Sequence, residues 1–216
     1  MLKKYKTFHD YGEIEITFKK SRFIGHAFCA STEIEIQETL AGLRKKHRDA
    51  NHNCYACRIE GQSIIERQSD DGEPSGTAGM PILDILRGFE IVNGLIVVTR
   101  YFGGTLLGTG GLVKAYGQAA KEATAAAGII EKEVYGAVSI FCDYTLSGKI
   151  EYELKKVNRP IDDIVYTDKV EFKVFIPIDE VDGFSKNIAD LTNAKASITT
   201  RRQVYGGIVN GKFIQF

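Results

Sequence analysis

Apolar residues alternate with polar ones from Glu13 to Phe18, where Ile14, Ile16 and Phe18 take every second position. Arg22–Ala30 follows after Lys19-Lys20-Ser21, so the pattern predicts a β-hairpin. The period then lengthens. Across Thr32–His47, Ile36, Leu40 and Leu43 fall on one helical stripe, and Thr32 and Glu35 have capping-box spacing. Asn53–Glu60 and Ser63–Glu66 read as a second hairpin around Gly61-Gln62. A polar loop, Ser69–Thr77, leads into a helix from Ala78 or Pro81 to Phe89, with proline suited to a first turn. Val92–Phe102 is a strand. Leu112–Ala127 is a helix on which Leu112, Ala115, Tyr116, Ala119, Ala120, Ala123 and Ala127 recur with a period near 3.6, and Gly128 ends it.

A second pattern starts beyond Gly128. Glu133–Cys142, Ile161–Tyr166, Val170–Ile178 and Ala196–Tyr205 read as strands, with Ile208–Gln215 as a further one. Leu146–Val157 and Glu180–Thr192 read as helices. Their order, βαββαβ, is the ferredoxin-like split motif. The expected organisation is therefore two α+β domains, residues 1–130 and 131–216. The first is expected to be a mixed sheet with helices on one face.

Composition narrows the function classes. No apolar run approaches the roughly 18 residues of a membrane span. Met1-Leu2-Lys3-Lys4-Tyr5-Lys6 has no apolar segment behind its lysines, so no secretory signal is expected. Four cysteines at irregular spacing fit reduced thiols in the cytoplasm. With 28 basic and 28 acidic residues the formal charge is zero, so any RNA contact must come from a local surface and not from a basic domain.

One stretch concentrates candidate chemistry. The strand ending in Arg100-Tyr101-Phe102 runs into a loop that holds Gly103, Gly104, Gly108, Gly110 and Gly111 just before a helix. Main-chain amides at a helix start receive anions, and glycine lets a ligand approach the backbone. Arg100 and Phe102 share one strand face and Tyr101 takes the other, so one aromatic belongs to the core. No lysine-serine pair follows at Walker A spacing. Lys114 lies one turn further on. Upstream, Asp70, Asp71 and Glu73 crowd three carboxylates into four residues, beside Ser75 and Thr77. They can hold Mg²⁺, pair with Arg100 through Asp70 or Asp71, or fill the anion site and lock the two loops together. His52 precedes Cys54 and Cys57, but residues three apart on a strand face opposite ways, which disfavours a shared metal.

Asp70-Asp-Gly-Glu-Pro-Ser-Gly-Thr77, Gly79-Met-Pro-Ile-Leu83, Val98-Thr-Arg-Tyr-Phe-Gly-Gly104 and Leu107-Gly-Thr-Gly-Gly111 together resemble the YigZ/IMPACT family in order and spacing. The resemblance covers the whole chain. It implies a first domain with a left-handed βαβ unit like domain IV of elongation factor G, and a ferredoxin-like second domain like that factor's domain V. Eukaryotic relatives act in translational control.

The leading expectation is an RNA- or ribosome-associated protein of the cytoplasm with a role in translation regulation. Its binding residues would be Asp70, Asp71, Glu73, Ser75, Thr77, Arg100, Tyr101, Phe102, Gly103, Gly104, Gly108, Gly110, Gly111 and Lys114. Expected partners are RNA, the ribosome or a protein, with no cofactor, metal or membrane. Two alternatives stand beside it. One is a metal-dependent enzyme acting on a nucleotide or small phosphorylated substrate, with His52 moving a proton. The other is a protein-binding scaffold.

Overall fold

In the computed structural model, which describes residues 2–157, 159, 161–209 and 212–216, the chain divides into two units, Met1–Ile130 and Glu131–Phe216. The first contains strands β1 (Lys4–Phe8), β2 (Gly12–Phe18), β3 (Ser21–Cys29), β4 (His52–Ile59), β5 (Ile65–Ser69) and β6 (Gly94–Tyr101), with helices α1 (Glu33–Lys46), α2 (Gly79–Gly88) and α3 (Thr109–Ala127). The sheet order is β2-β3-β6-β4-β5, and every neighbouring pair is antiparallel. This corrects the expected mixed sheet: β3 and β4 run parallel, but β6 lies between them.

Helices cover both faces, where one covered face was expected. Cys54, Ala56, Ile96 and Val98 pack with α2 and α3, whereas Cys57, Ile59, Leu95 and Val97 pack with Ile36, Leu40 and Leu43 of α1. A central strand covered on both sides must be apolar at consecutive positions, as β6 is. The connections β3–α1–β4 and β5–α2–β6 each join parallel strands across one intervening strand. A half turn about the sheet normal brings them into the same sense, yet their helices lie on opposite faces. They therefore have opposite hand, and one is left-handed against the strong general preference.

Small residues set the spacing between α3 and the sheet. Ala115, Ala119, Ala120 and Ala123 are fully buried, and a Cβ on Gly25 of β3 would stand 2.6 Å from the carbonyl oxygen of Ala119. The start of α3 also differs from expectation. It begins at Thr109 instead of Leu112, so Gly110 and Gly111 form its first turn and not a loop.

The second unit comprises β7 (Ile129–Cys142), α4 (Tyr144–Lys156), β8 (Ile161–Tyr166), β9 (Val170–Pro177), α5 (Val181–Thr192), β10 (Ser197–Val209) and β11 (Lys212–Gln215). Its strands lie in the antiparallel order β11-β10-β7-β9-β8, the predicted βαββαβ arrangement with β11 added at one edge. Ile150, Leu154 and Ile188 of its helices pack on Val138, Ile140, Phe172 and Val174. Among the described residues no helix is long and apolar enough to cross a membrane.

Candidate functional site

Antiparallel register sets one row of side chains across the first sheet. Arg100 of β6 pairs with Phe23 of β3 on one side and with His52 of β4 on the other. Even-numbered positions of β4 and β6 face α2 and α3, so Arg100 enters the core on that side. Tyr101 takes the α1 face, where its hydroxyl lies 3.0 Å from Nδ1 of His47.

Arg100 is 5% exposed. Its Nη1 lies 2.6 Å from Oε1 of Glu73, and the Tyr116 hydroxyl donates to the same oxygen at 2.7 Å. Nη2 reaches Oγ of Ser21 at 3.4 Å, while Nε has no hydrogen-bond partner among the described residues. The partner of Arg100 is thus Glu73, not Asp70 or Asp71, because those two carboxylates are engaged elsewhere. Asp70 accepts from the amides of Gly76, Ala78 and Gly79 at 2.9, 3.0 and 2.9 Å and so caps α2. Burial pushes its pKa up, but these three amides outweigh burial and leave it below the usual value. Asp71 accepts from the Asn53 amide at 2.7 Å and lies 3.5 Å from Nη2 of Arg44. Thr77 is buried and its hydroxyl donates to the Pro74 carbonyl at 2.6 Å, whereas Ser75 is exposed. The three carboxylates do not converge. Among the described residues no three His, Cys, Asp or Glu side chains stand together as a metal site.

Above this network lies a cleft of about 490 Å³. His52, Glu73 and Arg100 line its buried end. Phe102, Leu106, Leu107 and Leu112 give it apolar walls, and Gly108 and Thr109 bring the start of α3 to it. The acidic loop, through Glu73 and Pro74, and the glycine loop, through Leu106, Leu107 and Gly108, therefore line one cleft. The acidic side chains of the loop bond elsewhere, and among the described residues no side-chain hydrogen bond caps the start of α3, whose first turn holds no acidic residue. Its leading amides are left without the intrahelical acceptors that later ones have.

The glycines divide by role. A Cβ on Gly103 would stand 2.0 Å from the Lys20 carbonyl oxygen, so that position is fixed by close packing. Gly104 and Gly108 have φ of +80° and +70°. Gly110, exposed and with open space where a Cβ would go, meets no such demand. Lys114 is exposed and lies outside the cleft lining. Phe102 (44% exposed) and Leu106 (86% exposed) present large apolar surface at the mouth.

His52 is held in one orientation. Its Nδ1 lies 2.8 Å from the Asp71 carbonyl oxygen, which only accepts, so in the neutral ring Nδ1 carries the proton and Nε2 presents a lone pair. Nε2 lies 3.8 Å from Oε1 of Glu73. Beneath, Cys54 donates to the Asp70 carbonyl at 2.9 Å, and burial pushes its thiol up to about 12, far from a reactive thiolate. Cys54 and Cys57 belong to opposite faces of the sheet, as expected. The sequence places Tyr116 only in an apolar stripe and does not single out Ser21, Asn51 or Leu106, of which Asn51 and Leu106 line the cleft. A hydroxyl in an otherwise alanine-rich stripe was the available signal for Tyr116.

The second unit has a smaller depression of about 240 Å³ on its open sheet face, beside Lys173, Arg201 and Arg202. There Arg201 pairs with Glu171 at 2.7 Å and Lys173 with Asp163 at 2.9 Å, so most of its charge is already compensated.

Fold and cleft together define a two-unit α+β protein whose cleft combines open helix-start amides, an oriented imidazole and an exposed aromatic. The Impact N-terminal domain family matches residues 19–124, which contain every residue of that cleft, and a domain of unknown function, DUF1949, matches residues 140–195. The chain is 41% identical over 205 residues to the IMPACT family member YvyE of Bacillus subtilis, covering 95% of this chain and 94% of that protein. It is 36% identical over 185 residues to YigZ of Escherichia coli, covering 83% and 89%. Protein IMPACT of Danio rerio is 38% identical over 103 residues, 45% of this chain and 32% of that protein. A crystal structure of a hypothetical protein, 31% identical, superposes with a TM-score of 0.60 over 94% of this chain and 99% of that one. The chain belongs to the IMPACT family.

Proposed function

We propose that this protein binds RNA, free or within the ribosome, through the α3 cleft, and acts in the regulation of translation. The observation that supports this reading is the uncapped first turn of α3 beside the exposed Phe102 ring. A phosphate fits at a helix start of this kind, where backbone amides and the macrodipole both favour an anion. An unstacked base fits on Phe102, because single-stranded RNA is recognised chiefly by stacking and local hydrogen bonds. A chain of zero formal charge binds through such a local site and engages few phosphates. Its affinity for single strands should then fall gently with salt, with a slope near −0.7 per phosphate engaged.

Fluorescence-anisotropy titrations with single-stranded RNA and co-sedimentation with ribosomes test the reading. Stacking contributes about 1–3 kcal/mol per base, so Phe102→Ala should weaken RNA binding at least several-fold. Absence of binding to either target at low salt would overturn the proposal.

A further inference from the structure

We infer that the α3 cleft cleaves the RNA it holds, with His52 accepting the proton of a 2′-hydroxyl that attacks the adjacent phosphodiester. This rests on the RNA-binding reading above and adds a reaction to it.

The cleft supplies a base. The Asp71 carbonyl fixes Nδ1 of His52 as the protonated nitrogen, leaving Nε2 as the acceptor at a residue that lines the cleft. Glu73, 3.8 Å from Nε2, stabilises the imidazolium that forms. A base held in one orientation by a backbone or carboxylate acceptor is the usual arrangement for proton transfer by histidine.

The cleft supplies no nucleophile to go with that base. Cys54 is buried beneath it, with Sγ 3.4 Å from the Tyr116 hydroxyl. Thr109 carries the one hydroxyl in the lining, and it makes no side-chain hydrogen bond to a base among the described residues. The nucleophile must then come from outside the protein, and RNA brings one, already tethered beside the phosphodiester, at every sugar.

Negative charge developing on the phosphoryl oxygens meets two sets of donors. One is the set of open amides at the start of α3. The other is Arg100, which lines the cleft, is 95% buried and has no hydrogen-bond partner on Nε among the described residues. Preorganised donors of this kind stabilise a transition state more than they do a ground state.

The step balances without a co-reactant beyond water. The 2′-hydroxyl proton passes to Nε2 of His52. The 2′-oxygen bonds to phosphorus and the P–O5′ bond breaks. The leaving 5′-oxygen takes a proton from water at the open mouth, and the hydroxide left is neutralised by the proton that His52 releases. The products are a 2′,3′-cyclic phosphate and a 5′-hydroxyl end.

The test incubates the full chain, in EDTA, with an end-labelled single-stranded RNA and with the same strand made entirely of 2′-deoxy sugars. Both are also titrated for binding. The expected result is that both strands bind, only the ribose strand is cut, and the cut ends are a cyclic phosphate and a 5′-hydroxyl. General-base catalysis contributes about 10²–10⁴-fold, so His52→Gln, purified in parallel, should cut at least about 100-fold more slowly. Binding without cleavage overturns this inference and leaves the RNA-binding proposal standing, whereas no binding removes both. Cleavage that His52→Gln retains, cleavage of the deoxy strand, or cleavage that needs added Mg²⁺ overturns the role given to His52.

Discussion

Arg100 and Glu73 form a buried ion pair, 2.6 Å between Nη1 and Oε1, that ties the end of β6 to the loop before α2 across 27 residues of sequence. Both side chains are almost wholly out of water, at 6% and 3% exposure. Breaking such a pair by removing one member costs about 3–5 kcal/mol, whereas replacing both with apolar groups is often close to neutral. Arg100→Met should therefore lower the stability of the first unit by about that amount. Arg100→Met with Glu73→Leu should recover at least half of the loss, with the Tyr116 hydroxyl then left without its acceptor. Urea unfolding of the two variants checks this. A double variant no more stable than the single one would mean that the pair is not what joins the loops.

Asp70 offers a second test of the acidic loop. It receives three backbone amides and sits at the start of α2. A capping side chain contributes about 0.5–2 kcal/mol and its charge at a helix start about 0.3–1 kcal/mol more. Asp70→Ala should cost about 2 kcal/mol in urea unfolding, and Asp70→Asn less. Because the folded pKa lies below the unfolded one, this contribution is present above the unfolded value and is lost as pH falls through the folded one. The deficit of Asp70→Ala relative to wild type should accordingly shrink in strong acid and hold steady between pH 5 and 8.

Much of this architecture was readable from local pattern. Thr32 and Glu35 announced the start of α1, and the Glu35 amide does donate to Oγ1 of Thr32 at 3.2 Å. Leu95–Val98, apolar at every position, already implied a strand covered on both faces, yet its second cover, α1, was assigned to the same side as the others. The five glycines between Gly103 and Gly111 suggest a loop up to Leu112, since glycine is a poor helix former; packing of Leu112 and Ala115 carries α3 back through Gly110 and Gly111. The site was legible as two suspicious loops and no further. The partner that joins Glu73 to Tyr116 lies 43 residues along the chain, and such long-range pairings leave no periodic trace.

His26 provides a pH test away from the cleft. It is fully buried, with Nδ1 2.9 Å from the Tyr11 hydroxyl and, among the described residues, no hydrogen-bond partner on Nε2. Burial pulls its pKa down to about 4, against the pull of Glu13 and with help from His47 and Lys46. The unfolded imidazole takes up its proton below about 6.5 while the folded one resists, so stability is full above that value and falls as pH drops toward 4. At about 1.36 kcal/mol per pH unit, His26 should cost about 2 kcal/mol between pH 7.5 and pH 5. His47, lowered in the same direction chiefly by burial, adds to it. Urea midpoints at the two pH values should differ clearly for wild type and less for His26→Gln. Equal slopes in the two proteins would place the acid sensitivity elsewhere.

Gly110→Ala separates stability from binding at the start of α3. The position has ordinary helical freedom, being absent from the positive-φ residues, and a methyl group there meets open space. Alanine in place of a helical glycine gains about 0.5–1 kcal/mol, so the variant should unfold at higher urea than wild type. The same methyl group adds bulk to the turn whose amides are assigned to an RNA phosphate, since helix Cβ atoms tilt toward the N-terminus, and its presence should weaken RNA binding several-fold. Gly103→Ala is the contrasting case. Its Cβ would press on the Lys20 carbonyl oxygen at 2.0 Å, and the backbone shift this forces should cost at least about 2 kcal/mol. A Gly110→Ala protein that is more stable and binds RNA as tightly as wild type would show that the phosphate does not rest on the first turn of α3.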